Sequence, residues 1–398
     1  MPMPTPNPSA PAARLDSVDL LRGIVMIVMA LDHTRDFFHF SAIHGNNPLD
    51  LARTTPWIFF TRFITHYSAP TFTFLAGTGA YLSVMRGKPK CELSWFLVTR
   101  GAWLIFLELT LFMWFGWQFA ITPTSYVFAT LWALGWSMIV LAGLIHLPLW
   151  AITTFGLTLI AGHNALDGIK PESWGAGAPL WQVLHAGGSF TIAGKIQIFA
   201  FYPLIPWLGV MAAGYSFGAI YQWEPARRRT WLLRLGAAII IGFALLRFSN
   251  LYGNPSTWAP QKNGLFTLLS FMNCMKYPPS LLYLCMTLGP GMILLALFER
   301  GTPAWLKPAL VFGRVPMFYY LLHIPLIHGL AILMNWYRFG GGNFASLKSA
   351  DAPPPDAGVS LVWVYVVWLS VVFALYPLCR WFADLKRRRR DAVWLSYF

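Results

Sequence analysis

The chain has 398 residues, of which 57% are hydrophobic and only 11% charged, with 20 Trp and 31 Phe. That excludes an ordinary soluble protein and points to an all-α, polytopic membrane bundle. The net charge of +14 would suggest nucleic acid in a soluble protein, but these cations sit in short loops and a tail, so membrane topology accounts for them and no nucleic-acid partner is expected.

Residues 1–13 are Pro-rich, lack a basic n-region and a cleavage site, and read as a disordered cytoplasmic leader. Residues 14–385 contain no internal repeat and read as one transmembrane domain; 386–398 form a basic cytoplasmic tail. Ten spans are expected near 17–40, 57–85, 92–117, 124–146, 148–162, 199–221, 230–249, 279–299, 308–334 and 359–383. Basic residues follow the second, sixth, eighth and tenth spans, which puts both termini in the cytoplasm by the positive-inside rule. The opposite side then holds the longer loops 41–56, 163–198, 250–278 and 335–358, rich in turn formers.

The first span, Ser17 to Phe40, organises the rest. Its middle, Gly23 to Leu31, is apolar, yet Asp19 and Arg22 precede it and Asp32, His33, Arg35 and Asp36 follow. Charge inside a membrane helix is costly unless it faces protein or water. Arg22 and His33 are eleven residues apart, three turns plus about 20°, so they share a face roughly 16 Å apart along the axis. Asp19, Met26 and Met29 fall near the same stripe, which reads as the wall of a polar cavity.

The second span places Arg62 and His66 on one face at i, i+4, before a kink expected at Pro70. Ala76, Gly77, Gly79 and Ala80 permit close helix packing. His33 and His66 both fall roughly 10–14 Å in from the outer surface, so antiparallel helices would bring the two imidazoles together. The third span carries Arg100 and Glu108 on one face, suited to a structural salt bridge or to capping another helix. The ninth holds Arg314 near its cytoplasmic end, His323 at mid-depth and His328 further out. In the loops, His163, Asn164, Asp167, His185 and Lys195 read as a solvated surface by default, with acceptor contact as the alternative. The four cysteines have no metal or redox spacing and read as isolated structural thiols. Walker, G-x-G-x-x-G, H-E-x-x-H and G-x-S-x-G motifs are absent.

Three stretches carry a resemblance: Arg14-Leu-Asp-Ser-Val-Asp-Leu-Leu-Arg-Gly with Met-Ala-Leu-Asp-His33, Thr65-His66-Tyr-Ser-Ala-Pro-Thr-Phe-Thr-Phe-Leu-Ala-Gly77, and Phe312-Gly-Arg-Val-Pro-Met-Phe-Tyr-Tyr-Leu-Leu-His323. Together they resemble the bacterial branch, often filed as a domain of unknown function, related to lysosomal heparan-α-glucosaminide N-acetyltransferase. Arg22-x10-His33 is also similar to the arginine–histidine motif of the acyltransferase-3 family. The resemblance implies a multi-pass protein of the bacterial inner membrane, dimeric like the lysosomal relative. It implies transfer of an acyl group from cytoplasmic acetyl-CoA to a hydroxyl or amine, usually on a sugar, across the membrane, with no metal. In the lysosomal branch the position matching His33 is an asparagine, and the catalytic histidine aligns by ungapped counting with His44. His33, His44 and His66 therefore compete as the base, with His33 favoured because the acyltransferase-3 motif puts a histidine there and because it shares a face with Arg22.

Residue types suit this chemistry. A histidine titrates near neutrality and can take the acceptor's proton. Asp32 or Asp36 would orient it, and Arg62 or His66 would face the developing oxyanion. Arg22, with Arg100 or Arg314, would hold the donor's phosphates, with Asp19 and His323 completing the donor-side set. Two rival readings use the same residues. A proton-coupled small-molecule transporter also needs buried Arg and His. A non-catalytic scaffold predicts Arg22–Asp19 and Arg100–Glu108 pairs with no cavity between them.

Overall fold

The computed structural model describes residues 15–119, 121, 124–344, 352–389 and 391–398. The expected leader 1–13, Arg14 of the first motif and Arg390 of the tail lie outside the described residues. Helix α1 (Asp16–Phe38) is buried along most of its length, Asp19, Asp32 and Arg35 included. A helix this charged is stable in the middle of the bundle, where protein rather than lipid surrounds it.

The second expected span is two helices, α2 (Pro56–Thr65) and α3 (Ser68–Met85), separated at His66 and Tyr67. Pro70 falls in the first turn of α3, where its missing N–H costs nothing, so the chain restarts there instead of kinking. Next come α4 (Lys90–Gln118), α5 (Thr130–Leu144), α6 (Leu149–Gly162), α7 (Leu204–Phe217), α8 (Pro225–Ser249), α9 (Gly264–Met272) and α10 (Leu281–Phe298). The ninth expected span is also broken, into α11 (Lys307–Arg314) and α12 (Pro316–Phe339). Val315 precedes a proline and leaves the helical region, at φ −132° and ψ 51°. Helix α13 (Leu361–Arg388) closes the bundle. Among the described residues seven helices are long and apolar enough to cross a membrane.

One departure from all-α is a small sheet. Strand β1 (Ser125–Phe128) pairs in parallel with β3 (Ile196–Ala200), and β2 (Gly188–Ile192) pairs with β3 antiparallel. The starts of the expected fourth and sixth spans are therefore strand. The hairpin turns through Ala193 and Gly194, both at positive φ.

Glycine sets the tightest contacts. A Cβ on Gly23 would lie 1.8 Å from the Ala309 carbonyl oxygen, and one on Gly313 would lie 1.8 Å from that of Asp19. Helices α1 and α11 thus meet backbone to backbone. Gly77 does the same for α3 against α7, whereas Gly79 meets nothing and opens onto a cavity. The C-terminal residues fold back on α4. Arg100 donates to the Ser396 carbonyl, Thr99 Oγ1 lies 2.8 Å from the Tyr397 hydroxyl, and Phe398 packs on Trp103. The four cysteines are all unbridged.

Candidate functional site

A cavity of about 930 Å³ runs along α1. At the N-terminal end of α1 its wall holds Arg22, Ser83, Phe96 and Arg100. At mid-length come Met29, Asp32, His33, Arg62, Trp117 and Tyr320. At the far end it reaches Asn47, Phe201, Ser256, Asn273, Lys276 and Tyr277, which lie in loops, Phe201 just past β3. From Arg22 to Asp36 the helix rises about 21 Å, so the cavity spans most of the bundle's depth. Arg22 and His33 share this cavity, as their spacing requires.

Arg22 Nη1 donates to Asp19 Oδ1 at 3.1 Å and to the Gly313 carbonyl at 3.2 Å. The glycine contact between α1 and α11 brings that carbonyl within reach. Arg100 and Glu108 do not pair. Glu108 Oε2 accepts from the Leu131 and Trp132 backbone N–H groups at 2.7 and 3.4 Å, capping α5, the second of the two roles its position suggested. The Arg22–Asp19 pair fits the scaffold reading, but the cavity beside Arg22 and Arg100 and the missing Arg100–Glu108 pair do not.

At mid-depth Asp32 is the hub. Arg62 Nη1, from the last turn of α2, donates to Asp32 Oδ2. Arg35 Nη2 lies 3.0 Å from Asp32 Oδ1 and 2.5 Å from Asp36 Oδ1, and Lys276 Nζ lies 3.9 Å from Asp32 Oδ2. Three cations against two carboxylates leave one positive charge uncompensated. This corrects the expectation that Asp32 or Asp36 orients His33. Both are drawn to guanidinium groups instead, and Nδ1 of His33 is buried with no hydrogen-bond partner. It also narrows Arg62, one of whose N–H groups is committed to Asp32.

His33 is half-buried, with one side on the cavity, an edge against Trp117 at 5.1 Å between centroids, and His323 at 5.3 Å. The imidazole that meets it is therefore His323, not His66. His66 sits at the α2–α3 break, 1% exposed, against Phe63 and Tyr283. Tyr283 donates its hydroxyl to the His66 carbonyl at 2.7 Å. His44 is tied to the Phe40 and Pro354 carbonyls at 2.8 and 3.2 Å. Asp19, His44, His66, Arg314 and His323 do not line the cavity. Arg314 pairs with Asp16 near the surface, and His328 is held by the Gly116 carbonyl and Asn343.

The loop histidines are not a solvated surface. His163 and His185 are each 2% exposed. His185 Nε2 lies 3.1 Å from Asp167 Oδ1, Asn164 Nδ2 donates to Asp167 Oδ2 at 2.9 Å, and Asn164 Oδ1 accepts from the Leu281 N–H at 2.8 Å, capping α10. Burial alone would raise the Asp167 carboxyl, but the hydrogen bonds from His185 and Asn164 hold it below its ordinary value. Sequence reasoning also passed over Lys276, Trp117 and Arg247. Arg247 is buried and donates to the Phe271, Ser256, Ser270 and Asn273 carbonyls at 2.6–3.0 Å, clamping the loop that carries Lys276.

A central charged helix beside a cavity with cations at one end and an imidazole halfway along is the setting for the comparison with known proteins. Residues 14–251 match the family described as heparan-alpha-glucosaminide N-acetyltransferase, catalytic. The chain belongs to this family. No protein of curated function matches it. Membership in the N-acetyltransferase family makes the chain a multi-pass membrane protein of the acetyltransferase class. The family match covers α1 to α8 and the cavity wall they build; Lys276 and His323 lie beyond it. Among the described residues no three His, Cys, Asp or Glu side chains are grouped as metal ligands.

Proposed function

We propose that the chain takes an acyl group from acetyl-CoA on the cytoplasmic side and delivers it to a hydroxyl or amine of an extracytoplasmic sugar or glycan. Both termini then face the cytoplasm of a bacterial cell, and the lipid is that of its inner membrane. The observation that carries this reading is the cavity, which joins Arg22 and Arg100 at one end to the loop residues at the other and passes His33 between them. Two guanidinium groups suit the donor's phosphates. The pantetheine arm lies along α1, and the thioester carbonyl stops beside His33.

There the acceptor attacks the thioester carbon. His33 takes the acceptor's proton as the new C–O or C–N bond forms. The carbonyl oxygen gains charge in the field of Lys276 and Arg62, where one positive charge is unbalanced. The C–S bond breaks, and the CoA thiolate recovers the proton from His33 and leaves towards the cytoplasm. The acetyl group crosses while CoA stays inside.

The test is His33→Ala in purified protein, with thiol release from acetyl-CoA measured against a panel of sugars. Loss of a general base predicts a fall in rate of about 10²–10⁴-fold with the elution profile unchanged. An unaffected rate removes His33 from the chemistry. Solute flux in vesicles without thiol release would favour the transporter reading instead.

A further inference from the structure

We infer that His323 is a positioning residue that fixes the tautomer of His33; the inference rests on the reading of His33 as the base. His323 is 0% exposed and lies face to face with Tyr319, 5.1 Å between centroids with planes 2° apart. Its Nδ1 lies 3.0 Å from the Tyr319 carbonyl oxygen. A carbonyl only accepts, so Nδ1 carries the hydrogen, and Nε2 of the neutral ring is left as an acceptor. That Nε2 is buried and has no hydrogen-bond partner. On the neighbouring ring, 5.3 Å away between centroids, Nδ1 of His33 is likewise buried and without a partner.

Two unsatisfied buried nitrogens on adjacent rings are complementary in one way only. His33 must carry its hydrogen on Nδ1 and donate it to Nε2 of His323. The His33 ring is the one that turns, about its broad terminal torsion, because turning His323 would take its Nδ1 off the Tyr319 carbonyl. The consequence is chemical. With Nδ1 protonated, Nε2 of His33 holds the lone pair, the form a general base needs. Carboxylates usually hold such an imidazole in its tautomer, but here Asp32 and Asp36 are engaged with Arg35, Arg62 and Lys276. The role passes to a neutral ring anchored on a backbone carbonyl, which adds no charge beside the thioester.

The experiment is ¹⁵N NMR of histidine-labelled, full-length protein in lipid nanodiscs, with the His33 signals assigned from a His33→Ala sample. It needs no acceptor and no turnover, so it stands apart from the test of the acetyltransferase reading. The inference predicts that His33 shows a protonated Nδ1 and a bare Nε2. It predicts that His323→Leu shifts these signals towards a mixture of tautomers. His323→Gln, whose side-chain oxygen reaches the place of Nε2, should keep the wild-type pattern, and His323→Asn, which is too short, should not. A His33 pattern identical in wild type and His323→Leu overturns the inference, as does a bare Nδ1 in the wild type. If His323→Leu does not fold, the Gln and Asn variants decide: identical His33 signals in both refute it.

Discussion

A carboxylate inside a membrane bundle persists only with cations at hand, and Asp32 has Arg35, Arg62 and Lys276 around it. Removing it strands Arg62 and Lys276 without a carboxylate and leaves Asp36 alone against three cations in a poorly solvated wall. Asp32→Ala should therefore cost about 3–5 kcal/mol, read as a collapse in the yield of monodisperse protein in mild detergent. Asp167 offers a gentler case. Its folded-state value is depressed, so its contribution is fully present above the unfolded carboxyl value of about 4 and is lost as pH falls through the folded one. Asp167→Asn should lower the melting temperature by a few degrees at pH 7, and the gap should close in acid; a gap constant with pH would deny the ionised carboxylate its part. Asp32 stood out in the sequence because any charge does within an apolar span. Lys276 and Arg247 did not, because a cation in or beside a loop reads as ordinary solvation until the loop is seen folded inward.

Elements are held at two kinds of joint. The first is the glycine contact of α1 with α11. Gly23→Ala places a methyl group against the Ala309 carbonyl, so the helices must part. Overpacking of this kind costs about 1–3 kcal/mol, and here it also withdraws the Gly313 carbonyl from Arg22. The variant should be less stable and should bind donor more weakly, whereas Gly79→Ala, in a helix interior facing open space, should raise stability by about 0.5–1 kcal/mol. The second joint is Arg247, whose loss strands four carbonyls and frees the loop bearing Ser256, Asn273 and Lys276. Arg247→Gln should raise proteolysis between residues 250 and 280 before it unfolds the bundle. Helix existence was legible from apolar runs of sufficient length. The break at His66 was half legible, since Pro70 marked the place but not whether the chain would kink or restart; the break at Val315 went unread inside the expected ninth span. The sheet was missed because its alternating strands, Gly188 to Ala200, sit beside apolar helices that drown a period-two signal.

For the whole molecule, the arrangement matters more than any single group. A charged helix is surrounded by apolar ones, and one cavity runs beside it from paired arginines to a polar mouth. The shared face of Arg22 and His33 followed from helical spacing alone. The partners of His33 did not, since α12 and the end of α4 supply His323 and Trp117 from far along the chain. Equilibrium binding of acetyl-CoA to the purified protein tests the central claim most directly. The account predicts saturable binding that Arg100→Ala weakens by about tenfold, ~1.4 kcal/mol, and that Arg314→Ala, outside the cavity, leaves unchanged. Absence of binding, or equal loss in both variants, would contradict it.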